Sequence, residues 1–325
     1  MVLTDDEWLI SNTWNGGNAS MNRLNLITFC LLCFLSLFGC APSCRVLFQP
    51  NPGIVSWHVL DVSDESAQAD ANLLLFENGQ VVLIDAGETT ATLVPRLQAL
   101  GVTRIEKIFI SHPHKDHYNG LFSLIQSSIK IGEVYLNEPP KSLCDAEKPW
   151  GCDLANVSEL ITRLKAAGIP LKQTTPGESY IKFGTVELSA IHTHDGKRLP
   201  VGPSDINDLS VIMLLRVGDI KALFTGDLNL KFGSHLASLQ DPKLKAQLLK
   251  VPHHGAESLA PNSFFDWVDP EAGFVPAPAL LWRSTRCERV RNWFDSRKKP
   301  AYVTGVNGSV RIDIFNEEYQ IKVSN

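Results

Sequence analysis

From residue 53 onward, short apolar runs alternate with amphipathic stretches. Apolar runs of strand length that are bounded by turn-forming residues predict β-strands. Asn78-Gly79 between two such runs is the strongest short signal for a hairpin. The strands predicted in this way are 54–62, 72–76, 81–84, 108–110, 181–183, 185–192, 211–216, 220–224 and 249–251.

Helical stretches lie between these strands and carry their own end signals. Gly101 and Gly168 each follow a helical pattern, and glycine readily takes the left-handed conformation that ends a helix. In the last helix Thr285 and Glu288 form a capping box, and Pro300 stops the helix. The predicted helices are 90–100, 156–167, 243–248 and 285–299.

A further pair of strands is predicted at the end of the chain. Segments 301–304 and 309–315 are apolar and are joined by a turn at Asn307-Gly308. Strand groups and helices thus alternate in two halves, and the residues able to do chemistry follow strands. This arrangement is expected of a layered α/β protein whose site lies along one sheet edge. We predict a single catalytic domain at 53–325.

Three imidazoles and a carboxylate follow strand 108–110 within six positions: His112, His114, Asp116 and His117. Accidental histidines in a polar loop explain such clustering poorly, whereas neutral imidazole and carboxylate are preferred ligands of borderline divalent metals. His112 and His114 can converge on one ion, and Asp116 and His117 can turn toward a second. Two ions about 3.5–4 Å apart form the hydrolytic clamp of many phosphatases and nucleases.

Other strand ends supply four more candidates. Asp227 follows strand 220–224 and can bridge two ions, although aspartate is also common in ordinary turns. His253 and His254 end another strand. Because side chains alternate along a strand, we expect one of them to bind metal and the other to contact substrate. Asp85 can orient an imidazole by accepting its free N–H, or it can cap the following helix.

Together these motifs resemble the metallo-β-lactamase fold superfamily over roughly residues 53–325. The resemblance implies an α/β protein with the four-layer αββα metallo-β-lactamase fold, and a hydroxide between two ions as the nucleophile. It rests on Asp85, His112-x-His114-x-Asp116-His117, Thr225-Gly226-Asp227 and His253-His254-Gly255, which occur in the family's order. The ligand sets it implies are His112 and His114 for the first ion, Asp116, His117 and His254 for the second, and Asp227 as the bridge.

One departure narrows this resemblance. Typical members carry a His upstream of the bridging Asp as a third ligand of the first ion, whereas here that segment contains Asn207 and Ser210. An Asn-x-x-Ser segment with a His-His-Gly ending resembles the hydrolase domain of the competence protein ComEC and its relatives, which include phosphodiesterases. Residues 68–71 are similar to the opening motif of those relatives. His192 or His194 either replaces the missing ligand or is an exposed residue at a strand end.

The first 52 residues follow a different pattern. Residues 21–39 combine a positive start, an apolar run and a small residue before Cys40, which is the layout of a secretory signal. The segment resembles a bacterial lipoprotein signal, which implies a lipidated Cys40 and a protein anchored to a membrane on its periplasmic or exterior side. An uncleaved signal anchor is the alternative. Residues 40–52 are predicted to be a tether, and residues 1–20 are either a mis-called start or a polar extension.

Export to an oxidising compartment bears on the remaining cysteines. Cys144 and Cys152 flank a loop rich in turn formers and can close a small disulfide loop there. Cys44 and Cys287 are left over, and the sequence does not determine their pairing.

Composition excludes several classes of protein. The chain has 44% hydrophobic residues and a net charge of −5, or −3 without residues 1–39. These values fit neither a generally basic nucleic-acid binder nor a disordered polymer. Seven basic residues within 283–299 are a candidate phosphate binder, or else the solvated face of the last helix. The chain has no Gly-x-Ser-x-Gly elbow that would indicate a serine hydrolase.

The sequence therefore predicts an exported, membrane-tethered hydrolase with two divalent ions, zinc or alternatively manganese. Its expected substrate is a phosphodiester, either a small molecule or a nucleic acid. A hydrolase of β-lactams or other acyl compounds is one alternative, and a non-catalytic lipoprotein that holds metal or binds DNA is another. The residues predicted to act in catalysis or at the substrate are Asp85, Asp116, Asn207, Ser210 and His253.

Overall fold

Two β-sheets organise the residues that the structure describes. The computed structural model describes residues 9–10, 55–65, 67–89, 91–147, 151–193 and 205–324. The strands are β1 (Leu9–Ile10), β2 (Val55–Val59), β3 (Asn72–Phe76), β4 (Val81–Ile84), β5 (Arg104–Ile110), β6 (Lys130–Leu136), β7 (Leu171–Lys172), β8 (Ser179–Phe183), β9 (Val186–His192), β10 (Ile212–Val217), β11 (Ile220–Phe224), β12 (Leu248–Lys250), β13 (Ala272–Val275), β14 (Ala301–Val303), β15 (Val310–Ile314) and β16 (Tyr319–Val323).

Helices connect these strands and cover the sheets. The α-helices are α1 (Leu93–Ala99), α2 (Lys115–Tyr118), α3 (Leu121–Gln126), α4 (Lys141–Ala146), α5 (Leu154–Ala166), α6 (Leu230–Leu239), α7 (Asn262–Val268), α8 (Ala279–Arg283), α9 (Glu288–Ser296) and α10 (Thr304–Asn307). Short 3-10 helices occur at Ile206–Leu209, Pro242–Leu244, Pro252–Gly255 and Thr285–Cys287.

Each sheet combines antiparallel and parallel strands. The first sheet has the order β1-β16-β15-β2-β3-β4-β5-β6-β7, and the second has the order β14-β13-β12-β11-β10-β9-β8. The pairs from β4 to β7 are parallel in the first sheet, and the pairs from β11 to β14 are parallel in the second. Parallel neighbours place their carboxyl ends at the same sheet edge, where α/β proteins commonly bind ligands.

The two sheets pack face to face around an aromatic centre. Trp57 of β2 is fully buried, and its ring centroid lies 4.8 Å from that of Phe224 on β11 and 4.7 Å from that of Phe274 on β13. Both contacts are edge-on, the arrangement that the charge distribution of aromatic rings favours. This core joins one face of the first sheet to one face of the second.

Helices cover the outer face of each sheet. Buried residues of α1, α3 and α5 pack with the outward side chains of β3, β4 and β5. Buried residues of α6, α7 and α9 pack in the same way with those of β10, β11 and β12. The layers are therefore helix, sheet, sheet and helix, so the predicted four-layer α/β fold is confirmed.

Two predicted elements are wrong. Segment 243–248 is not a helix, because Asp241 and Pro242 start a 3-10 turn and Leu248 begins a strand buried between β11 and β13. The last two predicted strands do not form a hairpin. β14 pairs with β13 in the second sheet, whereas β15 pairs with β2 and β16 in the first.

A short helix explains why the chain changes sheets there. α10 lies between β14 and β15, and Asn307 Oδ1 accepts the N–H of Val303 (2.8 Å). Gly308 leaves this turn at φ +67°, a conformation that favours glycine. The start of the last helix also differs from its prediction, because Ser284 rather than Thr285 caps the preceding 3-10 turn by accepting the N–H of Arg286.

The cysteine prediction can be compared with the structure in part. A disulfide joins Cys144 to Cys152, as predicted, and Cys287 is buried and free. Cys40, Cys44, the signal at 21–39 and the tether at 40–52 lie outside the described residues. Within the described residues, no helix combines the length and the apolar character needed to cross a bilayer.

Candidate metal centre

Four strand ends meet at one edge of the two sheets. β4 is followed by Asp85, β5 by Ser111 and His112, β11 by Asp227, and β12 by the turn that holds the last two histidines. The short helix α2 carries Asp116 and His117 directly after β5. These segments come together because the strands that precede them are parallel neighbours.

Four imidazoles converge on a single carboxylate oxygen. Asp227 is buried, and its Oδ2 atom is the meeting point. The distances from this oxygen to the Nε2 atoms are 3.3 Å for His117, 3.4 Å for His254 and 4.0 Å for both His112 and His253.

Hydrogen bonds on the outer side of the rings decide which nitrogen faces this oxygen. His117 Nδ1 lies 2.9 Å from Asp85 Oδ2, and His254 Nδ1 lies 2.7 Å from the Pro276 carbonyl oxygen. Since carboxylate and carbonyl oxygens only accept, the proton of the neutral ring lies on Nδ1 in both histidines, and Nε2 is the atom that can bind a metal ion. Outer partners of this kind orient metal-binding histidines.

Asp116 completes a cluster with the chemistry of a metal site. Its carboxylate oxygens lie 3.2 Å from His254 Nε2 and 3.8 Å from His117 Nε2. One ligand atom from each of Asp116, His117, Asp227 and His254 falls within 4.8 Å of the others. The Nε2 atoms of His117 and His254 are buried and have no hydrogen-bond partner among the described residues. These four residues therefore fit a divalent ion.

The charges of this cluster favour a cation. Burial opposes charge on Asp116 and Asp227, but the adjacent imidazoles outweigh it and hold the pKa of both carboxyls well below their usual range. Burial likewise opposes charge on His254, but Asp227 and Asp116 raise the pKa of this imidazole to about 9. Because a divalent ion binds neutral imidazole, it would supply the positive charge that protons otherwise provide.

The other half of the cluster is less complete. His112 Nε2 and His114 Nδ1 lie 3.0 Å apart, close enough to share one ion. The second ring nitrogen of His114, Nε2, lies 2.9 Å from Glu147 Oε2. Glu147 belongs to the loop closed by the disulfide, and no motif in the sequence indicates its contact with His114.

The left-handed backbone at His253 and His254 corrects one prediction. Both residues lie in the turn Pro252–Gly255 with φ of +49° and +52°, so they do not alternate as they would on a strand. Both rings instead approach Asp227. Asp85 also has a positive φ, of +63°. Such strained conformations persist where the surrounding structure fixes them, and they concentrate at functional sites.

The Asn-x-x-Ser segment takes up two distinct positions. Ser210 is buried, and its Oγ accepts the backbone N–H of Asp227 (2.9 Å). Gly226 makes this close approach possible, because a Cβ at that position would lie 2.7 Å from Ser210 Oγ. Asn207 lines the cleft over the cluster, and its buried Oδ1 has no partner among the described residues.

His192 and His194 are the two candidates for the missing third ligand of the first ion. His192 Nε2 lies 3.5 Å from Asp241, and His192 does not belong to the groups of possible ligands found within the described part of the chain. His192 is half-buried at the end of β9, with Asp241 outside the cluster as its partner, so this geometry gives no support to the alternative in which His192 completes the first site. His194 lies outside the described residues.

Lys250 is a further site residue that the sequence did not reveal. Its side chain is buried, and its Nζ lies 2.5 Å from Asp70 Oδ2, 2.7 Å from the Gly226 carbonyl oxygen and 3.5 Å from Asp227 Oδ1. Lys250 thus holds one oxygen of Asp227 while the imidazoles face the other. A lysine that follows two leucines in a predicted strand is weak evidence for such a contact.

A cleft of about 1100 Å³ opens over Asp116 and Asp227. Within the basic segment 283–299, Arg286 lines this cleft and pairs with Glu257. Most of the other basic residues there are held by Asp266, Asp269, Asn262 or backbone carbonyls. The solvated helix face is therefore the better interpretation of this segment.

Known proteins share the fold and parts of the sequence. The family described as Anti-Pycsar protein Apyc1 matches residues 63–131. The solved structure of YhfI from Bacillus subtilis, a metallo-β-lactamase fold protein, has a TM-score of 0.51 at 11% identity and covers 77% of this chain and 96% of its own.

Sequence relatives include two competence proteins and a ribonuclease. Competence protein ComA of Neisseria gonorrhoeae is 26% identical over 202 residues, which are 61% of this chain and 23% of ComA. ComE operon protein 3 of Bacillus subtilis is 20% identical over 185 residues, 57% of this chain and 21% of its own. Ribonuclease Z of Treponema pallidum is 38% identical over 74 residues, 22% of this chain and 24% of the enzyme. The chain spans about a fifth of the length of the two competence proteins.

The two packed sheets, their covering helices and the solved neighbour show that this chain has the metallo-β-lactamase fold. Within that class it resembles the ComEC-like domain of the competence proteins, as the sequence motifs predict.

Proposed function

We propose that this chain is a hydrolase of phosphodiester bonds that uses two divalent ions, zinc or alternatively manganese. The observation that carries the proposal is the convergence of four imidazoles on Asp227 Oδ2, with Asp116 beside them. Similarity to ribonuclease Z supports a phosphodiester substrate, either a small molecule or a nucleic acid.

The proposed ligands divide between two ions. His112, His114 and Asp227 would hold the first ion, and Asp116, His117, His254 and Asp227 the second. Bound divalent ions supply Lewis-acid activation of a phosphoryl group and lower the pKa of bound water. Asp227 suits the bridging role because Lys250 holds its Oδ1 and leaves its Oδ2 facing the imidazoles.

The remaining predicted residues take roles around these ligands. Asp85 positions His117 by accepting the Nδ1–H of that ring. Ser210 positions Asp227 by accepting the backbone N–H of Asp227. Asn207 and His253 line the cleft, and each has a buried polar atom without a partner among the described residues. Because an unpaired buried polar atom costs stability, we assign these two side chains to contacts with the substrate.

Hydrolysis by matched variants tests the proposed function. We expect the purified protein to bind two metal equivalents and to hydrolyse bis-p-nitrophenyl phosphate. His114→Ala and Asp227→Ala should each lower kcat/KM by at least about 100-fold, because each removes a ligand. His235→Ala and Asp219→Ala, outside the cluster, are the matched controls, and circular dichroism checks that all variants fold.

The outcomes separate the alternatives when nitrocefin and single-stranded DNA are assayed in parallel. Unchanged diester hydrolysis in both ligand variants would contradict the mechanism. Hydrolysis of nitrocefin without hydrolysis of the diester would identify an acyl hydrolase. Metal binding with no hydrolysis of any of the three substrates would favour the non-catalytic lipoprotein.

We also propose that the protein is exported and tethered to a bacterial membrane through a lipidated Cys40, facing the periplasm or the cell exterior. The charged and apolar layout of residues 21–39 supports export. The disulfide between Cys144 and Cys152 supports it independently, since disulfides persist mainly in oxidising compartments. In this proposal the hydrolase domain covers 53–325.

A further inference from the structure

Glu147 connects the disulfide loop to the weaker half of the metal centre. Its Oε2 lies 2.9 Å from His114 Nε2, and its Oε1 accepts the backbone N–H of Ile206. The side chains of His114 and Glu147 are about equally shielded, with 14% and 15% of their surfaces exposed. One carboxylate thus joins a predicted ligand to the segment that carries Asn207.

The position of Glu147 decides which nitrogen of His114 is free. Because a carboxylate only accepts, the proton of a neutral His114 lies on Nε2, and the lone pair lies on Nδ1. Nδ1 is the atom that faces His112 Nε2 at 3.0 Å. Asp85 does the same for His117 from the other side of the cluster, with the ring nitrogens exchanged.

The disulfide loop is built so that Glu147 stays in this place. Cys144 and Cys152 are eight positions apart, and both pack on Ile206 and Leu209. Gly151, next to Cys152, lies against the contact itself. A Cβ on Gly151 would stand 2.4 Å from His114 Nε2 and 2.7 Å from Glu147 Oε2.

We propose that Glu147 is a positioning residue for the first metal ion, and that the disulfide between Cys144 and Cys152 holds it against His114. This inference rests on the proposed two-metal function and deepens it. A first site that has two histidines and Asp227 gains a fixed ring orientation from Glu147. The disulfide between Cys144 and Cys152 therefore supports the metal centre through Glu147, in addition to closing a loop.

The affinity for metal ions tests the positioning role of Glu147 directly and does not depend on catalytic activity. We would titrate Zn²⁺ into the full-length protein in competition with a chromophoric chelator, and record the absorption spectrum of the Co²⁺-loaded form. Glu147→Ala should weaken one of two equivalents by about 10–100-fold, the usual effect of removing an outer partner of a ligand. The other equivalent should be unchanged. Glu147→Gln should fall between Glu147→Ala and wild type, because its amide oxygen can still accept from Nε2–H.

Three further variants complete the design. Cys144→Ser/Cys152→Ser and Gly151→Ala should each weaken the same equivalent as Glu147→Ala and alter the same Co²⁺ bands. Glu159→Gln is the matched control, since Glu159 is exposed on α5 and pairs with Arg163. This control should bind both equivalents as the wild type does.

The results distinguish failure of the inference from failure of the proposed function. Two equivalents in the wild type with unchanged affinities in Glu147→Ala would overturn the positioning role and leave the function intact. Wild-type affinities in the folded double cysteine variant would overturn the role of the disulfide. A wild-type protein that binds no divalent ion would overturn the proposed function, and this inference with it.

Discussion

At the residue scale, Lys250 has the most demanding environment near the centre. Its side chain is 1% exposed, yet its ammonium group lies between Asp70 and Asp227. Burial disfavours the charged form, but these two carboxylates outweigh it and raise the pKa of Lys250. The lysine therefore stays charged and compensates two buried negative charges. Removing it would leave Asp70 without its ion-pair partner and Asp227 with the imidazoles alone.

Lys250→Met tests this interpretation. We expect the variant to lose about 3–5 kcal/mol of unfolding free energy, the usual cost of breaking a buried ion pair by removing one partner. Urea denaturation measures the loss. Asp70→Asn added to Lys250→Met should recover part of it, because one uncompensated charge is then gone. Lys182→Met, at an exposed position of β8, serves as the control. A loss below about 1 kcal/mol for Lys250→Met would contradict the prediction.

Single residues also show which parts of the site could be predicted from the sequence. His112, His114, Asp116 and His117 are close in sequence, so their clustering alone suggests a common site. Glu147 and Lys250 carry no such signal. Their partners, His114 and Asp70, lie 33 and 180 positions away, and only the packing of the two sheets and the disulfide loop brings these pairs together.

At the scale of elements, β2 shows what burial on both faces does to a strand. All five of its residues are buried, with Trp57 toward the opposite sheet and His58 on the other face. Trp57 also donates its Nε1–H to Asn72 Oδ1 at 3.0 Å on the neighbouring strand. This side chain thus joins the two sheets by packing and joins two strands by a hydrogen bond.

Two substitutions of Trp57 separate these contributions. Trp57→Ala should lower the unfolding free energy by about 3–5 kcal/mol, since it removes the ring that packs on Phe224 and Phe274. Trp57→Phe keeps a ring but leaves Asn72 Oδ1 without its donor, and should cost about 1–3 kcal/mol. Chemical denaturation provides both values. An equal loss of unfolding free energy in the two variants would contradict this prediction, because ring packing would then contribute less than the hydrogen bond to Asn72.

Elements were predictable where local signals and tertiary contacts agree. The strands at 72–76 and 81–84 appear at their predicted positions, because apolar runs with an Asn-Gly turn suit adjacent buried strands. Segment 243–248 and the final hairpin were mispredicted for one reason. In both cases the partner strand comes from a distant part of the chain, and periodicity within a short window contains no information about such partners.

At the scale of the whole molecule, parallel strands bring four distant segments to one edge. This follows from the fold, and so the grouping of Asp85, His112, Asp227 and His254 was predictable once the residues were seen to follow strands. The backbone geometry at that edge could not be predicted from the sequence. The left-handed turn at His253 and His254 turns both rings toward Asp227, and neither its φ values nor the resulting contacts follow from alternation along a strand.

The proposed lipid anchor concerns the whole molecule, and substitution of one residue tests it. We expect Cys40→Ala to move the protein from the membrane fraction to the soluble fraction of an expressing bacterium, because no lipid can then be attached. Fractionation followed by immunoblotting measures the distribution. Cys44→Ala is a matched control, since it removes a nearby cysteine and leaves the signal intact. Retention of Cys40→Ala on the membrane would contradict the lipid anchor and favour an uncleaved signal anchor.

The disulfide between Cys144 and Cys152 also determines when the proposed enzyme can bind its first metal ion tightly. A newly made chain in a reducing cytoplasm would have free thiols at Cys144 and Cys152, so the covalent bond that holds Glu147 near His114 would be missing. Closing the loop transfers two electrons and two protons to an oxidised dithiol partner, and in the proposed exported protein this step would follow export. The first metal ion would then be held firmly outside the cell and loosely inside it. Under the proposed function, full metal binding at the first site would therefore develop after export rather than in the cytoplasm.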